Sequence, residues 1–473
     1  MSDIRVMSLS GHVPAVRGCF DLGRSSRIIS TLLDKQPQPA CIGIRHEDKN
    51  AWERRSPLIP EQVGQLIGEH GLSFVVQHSE LRTFNDAEFR EVGAEVGDDL
   101  SGCPVVLGIK EIPEAAFLPG HTYIFFSHVI KGQHHNMPML RRMMELGCSL
   151  IDYEKMTDEA GRRLVFFGRF AGIAGMVDTL AGLGERLETQ GMQTPFSRVR
   201  LAHEYGRVDL AKAAIAEVGR DIVEQGLPAE LSPFVVGVTG YGHVAKGAWE
   251  VLDALGATEV DPVDLPALIA DGDRHAVYRV MFREEHMVEP KEIGHRFDLK
   301  EYFSQPELYR SEFEDHLPHL SVLVNCIYWD NRYPRLVTKE WLREAFSAGR
   351  TPKLAAIGDI SCDIEGSIEA TIKATEPGEP FYVYEPETGS VRDGVEGDGM
   401  LLMTVDNLPC ELPFDASREF GAALMPFVPV IARTDFSRPL ERLDLPGPIR
   451  RALILHQGKL TPEYRYIEKF LKI

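Results

Sequence analysis

Short apolar runs alternate with helix-periodic stretches from Cys41 onward. Cys41-Ile-Gly-Ile-Arg45 reads as a strand. Pro60 to Glu69 repeats its apolar residues at helical spacing, with a proline in the first turn, where the missing N–H costs nothing. Ser73 to Gln77 is a Val-rich strand and Asp86 to Val92 a short helix. Val105 to Lys110 and Tyr123 to Phe126 read as buried strands, Met137 to Leu146 as a helix and Ser149 to Asp152 as a further strand. This alternation predicts a parallel sheet with helices on its faces. A Gly- and Ala-rich apolar helix follows from Gly172 to about Thr189, then a polar helical stretch to about Gln225. Leu227 to Pro233, with two prolines, marks a boundary, and a second alternating unit opens at Phe234. Asp264 to about Pro318 is charged and lacks a clear period, so it reads as an insertion. Strands return at Leu320 to Ile327 and Leu354 to Ile360; from about Leu412 helical and loop signals dominate. The expected fold class is α/β, with two Rossmann-like domains and an interdomain active-site cleft. Residues 41–175, completed by 408–473, would bind substrate; residues 176–407 would bind a dinucleotide; residues 1–40 would form an extension.

Composition adjusts this picture. The 473 residues exceed one ordinary core, and 44% hydrophobic with 26% charged residues is globular territory. A net charge of -20 argues against nucleic-acid and anionic-membrane partners, though it leaves room for a local cationic pocket. The seven cysteines are scattered and never form C-x-x-C, which gives no zinc signature, no metal and no disulfide framework. They suit a reducing, cytoplasmic setting. No apolar run approaches the roughly 20 residues of a membrane span. Arg5, Arg17, Arg24 and Arg27 would suit a mitochondrial targeting peptide, but Asp3, Asp21 and Asp34 spoil its acid-poor pattern, so a loosely ordered extension is the preferred reading.

The strongest local signal is Phe234-Val-Val-Gly-Val-Thr-Gly240-Tyr-Gly242-His-Val-Ala245. An apolar strand runs into G-x-G-x-x-A, which opens a helix. Gly240 permits the turn, Gly242 admits a pyrophosphate, Ala245 lets helix and strand pack, and the helix N-terminus attracts phosphate. Asp261 closes the next short strand, roughly twenty residues on, where a carboxylate can hold an adenine ribose and favour NAD(H). Neither H-E-x-x-H nor a P-loop occurs.

Two polar residues end two apolar strands: Lys110 after Val105-Val-Leu-Gly-Ile, and His128 after Tyr123-Ile-Phe-Phe-Ser. If the strands are parallel neighbours, both emerge at one carboxyl edge, where open α/β sheets bind ligands. A lysine with a depressed pKa and a histidine form an acid/base pair; the plain alternative is a solvated strand end and a satisfied histidine. Arg55 and Arg163 are of the residue type that binds carboxylates bidentately.

These and further motifs resemble the lysine-ketoglutarate reductase (saccharopine dehydrogenase, lysine-forming) family, including the reductase half of aminoadipic semialdehyde synthase. The likeness is carried by Arg45-His-Glu-Asp-Lys-Asn-Ala-Trp-Glu-Arg-Arg55-Ser-Pro-Leu, Phe125-Phe-Ser-His128-x-Ile-Lys131, Ile151-Asp-Tyr-Glu154-Lys-Met, Phe170-Ala-Gly-Ile-Ala-Gly175-Met, Asn325-Cys-Ile-Tyr-Trp329, Asp359-Ile-Ser, Val405-Asp406-Asn-Leu-Pro409 and Tyr464-Arg-Tyr-Ile. The resemblance implies condensation of L-lysine with 2-oxoglutarate and reduction of the imine by NADP(H) or NAD(H) to saccharopine. It implies Lys110 and His128 as acid/base groups, Arg55 and Arg163 as carboxylate partners, and Glu111, Lys131 and Glu154 as polar residues tuning the site. It also implies that Asp406 lies near the nicotinamide. An alanine-dehydrogenase-like oxidoreductase and a non-catalytic dinucleotide sensor are the alternatives. The sequence is compatible with a homo-oligomer.

Overall fold

The computed structural model describes residues 41–347 and 352–471, so the expected extension 1–40 lies outside the described residues. Two eight-stranded sheets form its frame. The first contains β1 (Cys41–Ile44), β2 (Ser73–Val76), β3 (Glu95–Val96), β4 (Val105–Leu107), β5 (Thr122–Phe125), β6 (Ser149–Asp152), β17 (Leu453–His456) and β18 (Lys459–Leu460), in the order β18-β17-β6-β5-β4-β1-β2-β3. The strands from β1 to β6 pair in parallel, while β17 runs antiparallel to both β6 and β18. All residues of β4, β5 and β6 are buried, because helices cover both faces and no position can be left polar for solvent.

The second sheet contains β7 (Phe234–Thr239), β8 (Thr258–Glu259), β9 (Val277–Phe282), β12 (Val322–Asn325), β13 (Ala356–Asp359), β14 (Phe381–Glu385), β15 (Ser390–Asp393) and β16 (Met400–Met403), in the order β15-β14-β16-β13-β12-β7-β9-β8. Its antiparallel side is β16-β14-β15. A separate ladder pairs β10 (Val288–Pro290) with β11 (Tyr309–Ser311).

Three sequence expectations are corrected. The sheets are mixed rather than wholly parallel. The charged stretch 264–318 is not all insertion, because it contributes β9, which pairs along six residues with β7. The region after Leu412 is not only helix and loop, since β17 and β18 complete the first sheet.

Three helices matter for the site. α1 (Pro60–His70) starts on its proline and ends at Gly71, whose φ of 63° is left-handed. α2 (Gly168–Thr189) is the long Gly- and Ala-rich helix, buried on almost all sides. α3 (His243–Leu255) follows β7. α2 and α3 touch backbone to backbone: a Cβ on Gly172 would lie 1.8 Å from the Val244 carbonyl oxygen, and one on Gly247 would lie 2.0 Å from that of Arg169. Arg169 clamps the same contact, donating to Glu250 through Nε at 2.5 Å and Nη2 at 2.8 Å.

Candidate active site

In an open α/β sheet the ligand crevice forms at the carboxyl ends of the strands, where successive connections leave in opposite directions. In the first sheet that point lies between β1 and β4. Glu47, just after β1, reaches across it and accepts the backbone N–H of Ile109 at 2.7 Å and of Lys110 at 3.0 Å. Burial raises Glu47 to about 7, assisted by the nearby Glu53 carboxylate against the opposing charge of Arg45. Lys110 therefore stands on a backbone fixed from beneath. Burial lowers the pKa of its ammonium, and the cations Arg55 and Lys49 lower it further.

β4 and β5 are parallel neighbours, so Lys110 and His128 leave the sheet at the same edge. His128 has a φ of 52°, an uncommon conformation for a residue with a Cβ. Its ring Nδ1 is hydrogen-bonded to Glu111, whose other carboxylate oxygen accepts Lys49 Nζ at 3.1 Å. Burial would raise Glu111, but the His128 bond and the charges of His128 and Lys49 hold it well below the usual carboxylate range. Lys110, Glu111 and His128 are thus brought together.

Arg55 is close to them but largely committed. It is buried, donating to Glu53 through Nε at 2.7 Å and Nη2 at 2.5 Å, and its guanidinium lies 4.2 Å over the Phe167 ring. Nη2 also donates to Asn407 Oδ1 at 3.1 Å, and Asn407 Nδ2 donates to Glu53 at 3.0 Å. Burial alone would raise Glu53, yet the Arg55 charge and hydrogen bonds leave it lowered. Asn407 follows β16, so this buried knot ties the loop after β1 to the second sheet. Arg163 and Glu154 bond to each other after β6, with the arginine side chain half exposed.

The opposite wall is built on the second sheet, whose connections diverge between β7 and β12. Gly240 has a φ of 85° and donates its N–H to the Phe282 carbonyl at 2.8 Å, which fixes the turn against the end of β9. Gly242 is the N-cap of α3 with no side-chain cap, and a Cβ there would meet nothing within 4 Å. The turn is therefore open in front of the unpaired N–H groups of a 13-residue helix, and Ala245 is fully buried behind it. This cradle fits a dinucleotide pyrophosphate.

Thr239, Asn325 and Asp359 end β7, β12 and β13 and stiffen the edge beneath the turn. Thr239 donates to Asn325 at 2.9 Å, and Asn325 donates to Asp359 at 2.9 Å and Ser367 at 2.8 Å. Burial pushes Asp359 up to about 6 against the hydrogen bonds from Thr371 and Asn325. Between the walls lies a cavity of about 670 Å³, lined by Lys131 from one side and by Tyr328, Trp329, Ser361 and Asp363 from the other. Asp406 is exposed next to Asn407 at the same seam.

Asp261 is the sequence-predicted residue that stands apart. It follows β8, which β9 separates from β7, and its exposed carboxylate caps the Val263 N–H at 3.1 Å. Conversely, Glu47, Glu53, Lys49 and Asn407 escaped sequence reasoning. Their signal was two acids and a base crowded before Arg55 and an amide beside Asp406. Among the described residues, no group of three or more His, Cys, Asp or Glu could hold a metal ion, and no helix is long and apolar enough to cross a membrane.

Two Rossmann-like sheets meeting at a glycine turn define the class, and comparison with known proteins agrees. The model of the alanine dehydrogenase/PNT N-terminal domain matches residues 43–174. The fold is that of L-alanine dehydrogenase, with a TM-score of 0.58 over 91% of this chain and 99% of that one at 19% identity. Sequence likeness is more particular than the fold. The chain is 39% identical over 457 residues to the alpha-aminoadipic semialdehyde synthase of Arabidopsis thaliana, covering 93% of this chain and 42% of that protein. It is 28% identical over 401 residues to the saccharopine dehydrogenase [NAD(+), L-lysine-forming] of Emericella nidulans, covering 81% and 90%. Over most of its own length the chain is homologous to the alpha-aminoadipic semialdehyde synthases, and it spans about half the length of those proteins.

Proposed function

We propose that the chain is an oxidoreductase that condenses the ε-amine of L-lysine with the keto carbon of 2-oxoglutarate and reduces the imine to saccharopine, using NADP(H) or NAD(H). The reading rests on one juxtaposition: a lysine of lowered pKa and a carboxylate-held histidine at adjoining strand ends, across a crevice from a glycine turn that fits a dinucleotide. The name of the Emericella nidulans relative supplies saccharopine and L-lysine; 2-oxoglutarate comes from the resemblance carried by the sequence motifs.

The dinucleotide would supply hydride to the imine carbon; everything else falls to the protein. With Glu111 holding Nδ1, His128 Nε2 is the nitrogen left for substrate. It can take the proton that the attacking amine releases and return it to the carbinolamine oxygen as water leaves. Lys110, whose ammonium gives up its proton more readily because of burial and of its cationic neighbours, accepts and donates protons beside it. Saccharopine carries three carboxylates, which matches a crevice supplied with Lys49, Lys131, Arg163 and the part of Arg55 not engaged by Glu53.

Purified protein should oxidise NADPH or NADH only when L-lysine and 2-oxoglutarate are both present. Turnover with ammonia in place of lysine would instead support an alanine-dehydrogenase-like activity, for which the shared fold is the motive. Lys110→Met combined with His128→Gln should abolish turnover while cofactor binding persists. Unchanged turnover in that double variant would remove both residues from the mechanism.

A further inference from the structure

In a Rossmann sheet the strand beside the glycine-turn strand ends under the adenosine ribose. The residue at its tip reads the 2′ position: an acid accepts a 2′-hydroxyl, an arginine a 2′-phosphate. Here that strand is β9 and not β8. β9 ends at Phe282, whose carbonyl already receives the Gly240 N–H, and the next residue is Arg283. Its guanidinium lies 5.1 Å from the ring centroid of Tyr241, the residue between the two turn glycines. Arg283 is exposed and, among the described residues, makes no ion pair. Arg279, four residues earlier, is engaged by Asp253, with Glu259 at 3.8 Å. Asp261, the acid that sequence spacing selects for the ribose, is one strand too far out and spent on Val263.

We infer that Arg283 is the specificity-determining residue of the dinucleotide site, and that it selects a 2′-phosphorylated cofactor, NADP(H), over NAD(H). The inference deepens the proposed function and rests on its dinucleotide reading. Arg283 offers a planar fork to a phosphate, and Tyr241 holds that fork at the lip of the turn. Two acids follow it. Glu285 is exposed, and Glu284 lies 3.5 Å from the Tyr241 hydroxyl, which donates to it. Their charge opposes a 2′-phosphate, so selection depends on Arg283 outweighing them, and Glu284 is the residue a rival, diol-binding site would use.

The test is direct binding to the full chain, by calorimetry, of NADP+, NAD+ and adenosine 2′,5′-bisphosphate, without turnover. Wild type should bind NADP+ at least about tenfold tighter than NAD+, as a charge-assisted phosphate contact implies. Arg283→Ala should lose about that factor for NADP+ and the bisphosphate and stay within roughly twofold for NAD+, while Arg283→Lys recovers part of the loss. Glu284→Gln should tighten NADP+. A wild type that prefers NAD+, an Arg283→Ala loss equal for both cofactors, or a Glu284→Gln variant that weakens NAD+ alone would each overturn the assignment. Failure of all three ligands to bind would remove the dinucleotide reading, and the assignment with it. Unchanged thermal unfolding of each variant separates recognition from folding.

Discussion

At the residue scale, the buried carboxyl groups fall into two electrical classes. Glu53 and the half-buried Glu111 are each bonded to a cation and titrate low; in Glu47, Asp359, Asp178 and Glu411 burial outweighs the surrounding charges and hydrogen bonds, and they titrate high. Glu411 is the clearest case. It accepts the His203 N–H at 3.2 Å, and burial raises it from 4.5 to about 7, while the Asp178 carboxyl beside it is raised by burial and by the Glu411 charge. A raised folded-state pKa gives stability that is complete below the unfolded value and lost as pH rises through the folded one. Glu411 should therefore cost the fold roughly 3 kcal/mol between pH 4.5 and 7. Urea unfolding of Glu411→Gln across that window should show that much less decline than wild type; parallel curves would mean the carboxyl is ionised throughout. The same scale explains what the sequence discloses about the site. Lys110 and His128 are legible because each polar residue ends an apolar run. The partner of Arg55 is not, because Glu53 is two residues away in a loop and only folding turns both inward beside Asn407.

At the scale of elements, the α2–α3 contact relates the long apolar helix to the cofactor turn. Gly172 and Gly247 let a carbonyl of each helix approach the other's backbone, so neither position has room for a methyl group. Gly172→Ala must drive the helices apart and should cost about 2–3 kcal/mol by overpacking. Gly68→Ala on α1, where a Cβ meets nothing within 4 Å, should instead stabilise by roughly 0.5–1 kcal/mol by removing chain entropy. Thermal unfolding of the pair checks both signs, and equal effects would mean the helix backbones are not in contact. Strand recognition failed where local pattern carried no period. In β9, Val277, Val280 and Phe282 are buried but Tyr278, Arg279 and Met281 are only half so, and flanking charges hide the run. In β17, Leu453-Ile-Leu-His456 follows directly on the helix Gly447–Ala452, and three apolar residues there are equally consistent with another helical turn.

At the scale of the whole molecule, the first sheet is built from two distant parts of the chain. Among the described residues, the outer edge of β6 is covered by β17, with β18 beyond it, some three hundred residues later, as the hydrogen bond between Ser149 and His456 across 307 positions illustrates. A chain ending at Pro446 should leave β6 as an open, wholly buried-type edge ready to pair with another copy. Size-exclusion chromatography should then find it associated or insoluble. A truncated chain that elutes and melts like the full one would mean those strands are dispensable. During synthesis, the second sheet can be finished while the earlier one still waits for its last two strands to leave the ribosome. The sheet begun earlier is thus the later one to be sealed, and its open edge is in need of protection by chaperones until β17 and β18 arrive.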